Sequence, residues 1–263
     1  MPNHLRIVTL APHLAELVFA AGAGEHLVGV SAYSDFPGEV SALPVIGDAF
    51  VVDQERLALL APDLLLAWQS GTPKHVVDEL SGRGYRVEVI RTRNLEDIAL
   101  SIERIGELAG DASLAAKAAT EYRQGLRRLA EAHSAAEPIR VFYQIQKRPL
   151  YTISGGHYVS ELIELCGGQN VFSTLSSLAP LVAVEAVIER NPEIMLVSSD
   201  SAADALGEWD RWPDLAANRY GNRFVMPADE IGRPTPRLLL AGQALCAILE
   251  QGRANRARAL RDE

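Results

Sequence analysis

The stretch from residue 95 to residue 136 carries no strand pattern, although short apolar strands alternate with helices on both sides of it. Its second part, residues 114–134, is rich in Ala, Leu, Arg, Glu and Gln, which are strong helix formers. At about 1.5 Å per residue this helix would be roughly 30 Å long, enough to cross a small domain. The sequence therefore predicts two lobes joined by a single long α-helix.

Both flanking halves follow the alternation that is typical of α/β folds with parallel sheets. Strands are predicted at residues 6–10, 27–33, 64–68, 86–90, 140–146, 193–198 and 223–227. Helices are predicted at residues 13–21, 54–60, 73–81, 94–106, 158–165, 184–190 and 237–251. We predict an α/β protein of two Rossmann-like lobes with mainly parallel sheets: an N-terminal lobe at 1–110, a connecting helix at 111–137 and a C-terminal lobe at 138–263.

An internal repeat supports two related lobes. A helical stretch that begins at Glu55 ends in Ala-Pro-Asp and runs into the apolar segment LLL. A second stretch, beginning at Glu185, ends in Asn-Pro-Glu and runs into IML, with the proline at the same distance from the glutamate. One copy lies on each side of the predicted long helix, as duplicated lobes require.

Charge and hydropathy exclude several kinds of partner. The chain has 25 Lys and Arg against 34 Asp and Glu, a formal net charge of -9, whereas a nucleic-acid interface needs clustered basic residues. No apolar run reaches the ~18 to 20 residues of a membrane-spanning helix, so no direct membrane insertion is expected. The start of the chain lacks the regions of a secretory signal, which leaves a cytoplasmic protein or an exported one whose signal lies outside this sequence.

Enzyme signatures are also missing from the sequence. Gly22, Gly24 and Gly29 superficially suggest a dinucleotide fingerprint, but they follow a helix, whereas that fingerprint follows a strand. They are better interpreted as a helix stop. There is no phosphate loop and no Gly-x-Ser-x-Gly nucleophile motif. We therefore predict no catalytic residue and no cofactor, and a binding function rather than catalysis.

Histidine and cysteine each leave two interpretations open. His13, His75 and His157 fall just after predicted strands or at helix starts, where they could face a metal or simply be polar helix-start residues. The second interpretation is favoured and no metal site is predicted, because no His-x-His or Glu-x-x-His spacing occurs. Cys166 and Cys246 lie far apart in no metal-type spacing. Spacing alone favours two buried thiols over one disulfide.

Aromatic side chains give the more informative set. Tyr33, Trp68 and Tyr151 lie at predicted strand ends, one or more in each lobe. In open parallel sheets the ligand crevice lies at the carboxyl ends of the strands. Flat rings with a polar tip suit a bulky planar ligand such as a tetrapyrrole or a corrin.

Four segments of the sequence are similar to those of a known family. They are residues 31–37 (SAYSDFP), 64–68 (LLLAW), 166–172 (CGGQNVF) and 233–237 (RPTPR). Together they resemble the cobalamin-binding proteins of bacterial ABC importers, over residues 6–249. The Pro-Asp-Leu strand pattern is shared more widely with iron-siderophore and haem binders. The resemblance implies two α/β lobes, one rigid connecting helix and a ligand cleft between the lobes.

The resemblance also assigns ligand contacts residue by residue. Tyr33 and Trp68 match aromatic corrinoid contacts of the N-terminal lobe, and Tyr151 matches a Phe contact of the C-terminal lobe. Asp229 and Arg233 match a polar pair that reaches the amide side chains of the ligand. A mixed wall of this kind suits a corrinoid because its amides need hydrogen-bond partners that a ring does not supply.

Further positions carry the remaining implications of the family. Cys166 and Cys246 match a disulfide, and Glu185 matches a glutamate that docks onto arginines of the membrane permease. The matching docking position of the other lobe is assigned to Lys74, whose charge would repel arginine. A Trp that contacts ligand in the family is Ala179 here, which removes apolar contact area.

The predicted function is that of a monomeric, periplasmic substrate-binding protein, which captures cobalamin or cobinamide for the permease of an ABC importer. One alternative is a haem or ferric-siderophore binder. Another is a cytoplasmic corrinoid-binding protein outside transport, which the missing signal and Lys74 favour.

Overall fold

The computed structural model describes residues 5–198 and 206–262. The chain divides into two compact units, with the division between Arg123 and Gln124. This point falls within the predicted long helix, which runs from Ala112 to Ala132. In the part of the chain described, no helix is long and apolar enough to cross a membrane. The three-part division at 110 and 137 stays a prediction.

The first unit is built on a parallel sheet of four strands in the order β2-β1-β3-β4. The strands are β1 (Ile7–Thr9), β2 (Leu27–Gly29), β3 (Leu64–Trp68) and β4 (Val87–Ile90). Its helices are α1 (Pro12–Ala20), α2 (Gln54–Leu60), α3 (Lys74–Gly82) and α4 (Leu95–Ala109). The long helix α5 (Ala112–Ala132) begins in this unit and ends in the second. Strand β1 is buried throughout and β3 nearly so, because helices cover a parallel sheet on its faces.

The second unit is built on a five-stranded sheet in the order β6-β5-β8-β9, in which β7 also pairs with β5. The strands are β5 (Ile139–Gln146), β6 (Tyr151–Thr152), β7 (Gly168–Asn170), β8 (Ile194–Ser198) and β9 (Arg223–Met226). The helices described are α6 (Tyr158–Leu165), α7 (Val184–Arg190), α8 (Ala216–Arg219), α9 (Ala228–Ile231) and α10 (Leu238–Ala259). Only β6 pairs antiparallel. The predicted α/β class with mainly parallel sheets is confirmed.

The helix that precedes the long one shows how local sequence sets an element's ends. The side chain of Asn94 accepts a hydrogen bond from the Asp97 N–H at 2.7 Å, which is an N-cap as predicted. The helix continues to Ala109 and stops at Gly110, which has a φ of 90°. The predicted end at Gly106 was wrong, because Gly110 is the residue that adopts the left-handed cap conformation without a steric cost.

Two short strands were not predicted. Strand β7 consists of Gly, Gln and Asn, which are depleted in strands. Side-chain hydrogen bonds stabilise it: the buried Asn170 amide donates to the Ile153 carbonyl and to Ser160 Oγ, each at 3.0 Å. Strand β6 has two residues, too few for any periodic pattern.

The internal repeat is present in the backbone of both units. Helices α2 and α7 each have seven residues. Each ends at a non-glycine residue in the left-handed region, Ala61 with φ 40° and ψ 60° and Asn191 with φ 44° and ψ 65°. A proline follows in both cases, and then a buried strand. The two units therefore share one helix-to-strand connection.

Candidate functional site

Tyr33 lies just beyond the carboxyl end of β2 in the first unit. Its φ is 65°, in a region that costs a bulky residue about 1–3 kcal/mol. The strand ends at Gly29, and the predicted end at Tyr33 was wrong, because Tyr33 itself has a left-handed backbone that a strand does not adopt. The neighbouring Ala32 N–H donates to the Gly47 carbonyl at 2.6 Å and anchors the loop. The ring of Tyr33 is 82% exposed, so the loop presents it to solvent.

Trp68, at the carboxyl end of β3, is fixed from three sides. Its ring meets His13 edge-on, with centroids 4.7 Å apart. Its backbone N–H donates to Thr72 Oγ1 at 3.0 Å, which fixes the main chain at this strand end. A Cβ at Gly71 would stand 2.1 Å from the Trp68 ring, so only glycine fits there. The half-buried indole is therefore held in one position beside the same sheet edge as Tyr33.

A turn beside the Tyr33 loop presents two apolar residues that the sequence analysis did not identify. The Asp48 carboxylate accepts hydrogen bonds from the N–H groups of Phe50 and Val51, both at 2.8 Å. These bonds, that of Val51 first, lower the pKa of Asp48. Phe50 is 68% exposed. A Gly-Asp pair followed by apolar residues is the signal that could have revealed this turn.

In the second unit, Tyr151 begins β6 and is half-buried. It pairs with Gln146 at the carboxyl end of β5 and forms a bridge with Leu181. Ala179, the position that lacks the family's Trp, is exposed next to Pro180, whose carbonyl accepts from the Thr152 N–H at 3.1 Å. The strand is therefore clamped between β5 and the 179–181 segment.

Asp229 and Arg233, predicted as a polar pair, form an ion pair with each other. An Arg233 Nη2 lies 3.2 Å from Asp229 Oδ1. Both follow the carboxyl end of β9, and Tyr158 donates from its hydroxyl to the Gly232 carbonyl at 3.0 Å, which fixes the turn between them. The carboxylate is mostly exposed and the guanidinium mostly covered. The pair offers one acceptor and several donors in a set geometry.

The five predicted ligand residues thus form two groups, one in each unit. Tyr33 and Trp68 belong to the first, and Tyr151, Asp229 and Arg233 to the second. Each group lies at or just beyond the carboxyl ends of its own parallel strands.

The histidines serve as helix-start residues. The Nδ1 atom of His157 accepts from the Val159 N–H at 3.2 Å and caps α6. Burial lowers the pKa of its imidazole to about 4, so the ring is neutral at pH 7. His13 lies in the first turn of α1 and His75 in the first turn of α3. Among residues 5–198 and 206–262, no group of three His, Cys, Asp or Glu is arranged to hold a metal ion.

Cys166 and Cys246 form a disulfide, with Cα atoms 4.8 Å apart. The bond joins the end of α6 to the middle of α10. Spacing alone favoured two free thiols and was wrong, whereas the implication of the family resemblance is confirmed.

Lys74, the predicted docking position of the first unit, lies on a helix outside the internal repeat, and its docking role stays a prediction. Lys74 opens α3 and is paired with Asp78, with Nζ 2.6 Å from Oδ2. Glu185 is the second residue of α7, and Glu55 is the second residue of α2. Both glutamates are exposed. Because α2 and α7 are the repeated helices, Glu55 corresponds to Glu185, and the repeat in the sequence already contained this signal.

Comparison with known sequences gives a consistent set of similarities. Residues 7–230 match the family described as periplasmic binding protein. The vitamin B12-binding protein of Vibrio parahaemolyticus is 36% identical over 252 residues, which cover 95% of this chain and 91% of that protein. The vitamin B12-binding protein of Vibrio cholerae (El Tor Inaba) is 34% identical over 246 residues, covering 93% of this chain and 89% of that protein.

Solved structures agree with the sequence comparison. The crystal structure of the periplasmic vitamin B12 binding protein BtuF of Vibrio cholerae has a TM-score of 0.84 and 33% identity, and covers 94% of this chain and 97% of its own. A periplasmic heme binding protein from Pseudomonas aeruginosa has a TM-score of 0.79 and 26% identity, and covers 92% of this chain and 91% of its own.

Proposed function

This chain belongs to the periplasmic binding protein family, and on that premise we propose that it binds a corrinoid, cobalamin or cobinamide. The bound corrinoid is delivered to the membrane permease of an ABC importer. The mechanism is capture and release, with no covalent step. Vitamin B12-binding proteins that are 33–36% identical over most of the chain support the choice of ligand.

The observation that carries the proposal is the presentation of Tyr33. A left-handed backbone is unfavourable for a bulky residue, and a ring that is 82% exposed loses its hydrophobic burial. Both are costs to the free protein. Both are offset when a flat apolar ligand covers the ring, and Trp68 at the same sheet edge extends the apolar surface.

The second unit supplies the polar ligand contacts. Arg233 has donors only and Asp229 has acceptors only, so together they match both ends of an amide group. Their ion pair holds them ready before the ligand arrives. Tyr151 adds a ring with a hydroxyl. This combination suits a macrocycle that carries amide side chains around an apolar plate.

We propose that two features of the chain set its ligand preference. Ala179 removes apolar area from the second unit, and Phe50 with Val51 adds exposed apolar area to the first. We propose that Phe50 contributes contact area beside Tyr33, since the loops that carry them are hydrogen-bonded through Ala32 and Gly47.

Transporter docking rests on Glu55 and Glu185. They occupy the same position in the two repeated helices and are both exposed, so each unit offers one carboxylate to a cationic partner surface. A periplasmic location accords with the family and with the disulfide, since disulfides persist in the oxidising periplasm.

Ligand titration of the purified protein tests the proposal. Cyanocobalamin, dicyanocobinamide and haemin are each titrated by calorimetry and by absorbance. We expect saturable one-to-one binding of at least one corrinoid at micromolar concentrations or below. Binding of haemin alone would favour the haem alternative, and no binding of either corrinoid would contradict the proposal.

A further inference from the structure

We propose that the second unit holds a separate binding site for a small organic carboxylate, in a cavity beneath the turn that connects β5 to β6. The cavity has a volume of about 280 Å³. The lining residues that matter for binding are Gln144, Arg148, Leu150, Trp209, Arg211 and Trp212. All lie within the second unit.

The walls of the cavity are apolar. The rings of Trp209 and Trp212 lie 5.4 Å apart between centroids and are tilted by 49°. Trp209 is buried and packs edge-on against Phe142 at 5.7 Å, so its ring is fixed. Leu150 closes the opposite side and is buried too. Two indoles at an angle form a slot for a flat apolar group.

The amide of Gln144 supplies an unused donor. Its Oε1 accepts from Trp209 Nε1 at 2.9 Å, and because an indole N–H only donates, this bond fixes which way the amide points. Gln144 is 1% exposed, and its Nε2 is buried without a hydrogen-bond partner among the described residues. A buried amide left unpaired costs about 1–3 kcal/mol. An acceptor oxygen on a ligand would remove that cost once a small side-chain movement uncovers the Nε2 atom, which solvent does not reach in the free protein.

The charges around the cavity favour an anion. Lys147, Arg148 and Arg211 line it, against the single carboxylate of Glu208 among the described lining residues. Glu208 is paired with Arg148, and its Oε1 lies 3.6 Å from Lys147 Nζ. The guanidinium of Arg211 lies over the Trp212 ring at 5.6 Å. These four described lining residues together carry a net charge of two positive units. Arginine binds carboxylates through paired N–H donors.

The size of the cavity limits the ligand. Pockets for drug-sized molecules begin at about 300 Å³, so this cavity accepts a molecule with one ring or a short chain. A corrinoid is far too large to enter it. The inference therefore goes beyond the proposed function and does not depend on it.

Benzoate is the probe, and benzamide is its neutral isostere. Binding to the full chain is measured by calorimetry and by quenching of tryptophan fluorescence. We expect benzoate to bind in the micromolar-to-millimolar range and benzamide at least ~10-fold more weakly, as for a hydrogen bond to a charged group. Arg211→Gln and Arg148→Gln, both at exposed positions, should each weaken benzoate by ~10-fold.

Arg219→Gln is the matched control, because Arg219 is also exposed and also lies over a neighbouring ring, that of Tyr220 at 5.8 Å. It should leave benzoate affinity unchanged. Three results would each overturn the site. They are equal affinity for benzamide and benzoate, a loss of benzoate affinity in the Arg219 variant equal to that in the other two variants, and no saturable benzoate binding at millimolar concentrations. No corrinoid is used, so none of these results bears on the corrinoid proposal.

Discussion

Asp63 and Glu193 accept equivalent hydrogen bonds, one in each unit. The Arg6 N–H donates to Asp63 at 2.9 Å, and the Arg140 N–H donates to Glu193 at 3.0 Å. Each carboxylate follows the proline of the repeat and directly precedes a strand, β3 in the first unit and β8 in the second. Its hydrogen bond joins the start of that strand to the start of the first strand of the same unit. The repeat therefore includes a side chain that joins two parallel strands.

The two carboxylates differ in burial, which predicts different costs of removal. Glu193 is buried and also accepts from Arg256 Nη1 at 3.1 Å, whereas Asp63 is exposed. Glu193→Ala should lower the free energy of unfolding by about 2–3 kcal/mol, because it removes a buried acceptor of Arg140 and Arg256, while Arg256 keeps its ion pair with Glu137. Asp63→Ala should cost about 1 kcal/mol. Urea unfolding of both variants measures the difference, and equal losses would contradict it.

Tyr33→Gly should move stability and affinity in opposite directions. Glycine adopts the φ of 65° without strain, so the free energy of unfolding should rise by up to about 1 kcal/mol. Corrinoid affinity should fall by about 1 kcal/mol or more, as for the loss of an aromatic anchor. Thermal unfolding and calorimetric titration give the two values.

Tyr33→Ala is the comparison for that variant. It removes the same ring and keeps a Cβ, so affinity should fall without the gain in stability. Unchanged corrinoid affinity in both variants would exclude Tyr33 from the binding surface.

Gly71→Ala should disturb Trp68. The new Cβ would stand 2.1 Å from the ring, so the indole must shift and its edge-on contact with His13 must change. We expect a changed tryptophan fluorescence spectrum and weaker corrinoid binding. Gly82→Ala, at the end of α3 with no atom within 4 Å of its Cβ, is the control and should be neutral or slightly stabilising. A normal spectrum and affinity in the Gly71 variant would contradict the packing argument.

Acid should destabilise the second unit through His157. Burial lowers the pKa of the folded-state imidazole to about 4, from 6.5 as the reference. Between these values the unfolded chain binds more protons, so stability falls as the pH drops from about 6.5 to about 4. The loss attributable to His157 should be on the order of 2–3 kcal/mol.

His157→Asn isolates this effect, because asparagine keeps the N-cap acceptor of α6 and does not titrate. Its unfolding free energy should depend less on pH over that range than that of the wild type. His75→Asn, at an exposed position, should keep the wild-type dependence. Identical pH profiles for the wild type and the His157 variant would contradict the prediction.

The sequence predicted those elements whose pattern is strong and locally bounded. Strand β3 and helices α2, α6 and α7 have the predicted ends, because an apolar run or a helical period is closed on both sides by turn or capping residues. Strand β2 was predicted too long, since nothing in the residue types near Tyr33 indicates a left-handed backbone. Strand β7 depends on the distant amide of Asn170, which no local pattern reveals.

The candidate site shows the same limit. Residue type and strand-end position were enough to select Tyr33, Trp68 and Tyr151. Gln144, in the separate cavity of the second unit, was not selected, since its importance depends on Trp209, 65 residues further along the chain. Such partners become visible only when the fold brings them together.

The disulfide between Cys166 and Cys246 links the chain's stability to the compartment in which it folds. It closes a loop with a sequence separation of 80 residues, for which chain entropy gives about 4 kcal/mol of stabilisation. That amount is a large part of the marginal stability of a typical domain. In a reducing cell interior, the second unit would lack this stabilisation. A larger fraction of the molecules would be unfolded and accessible to proteases. Formation of the bond therefore favours the folded state of the second unit wherever the surroundings are oxidising.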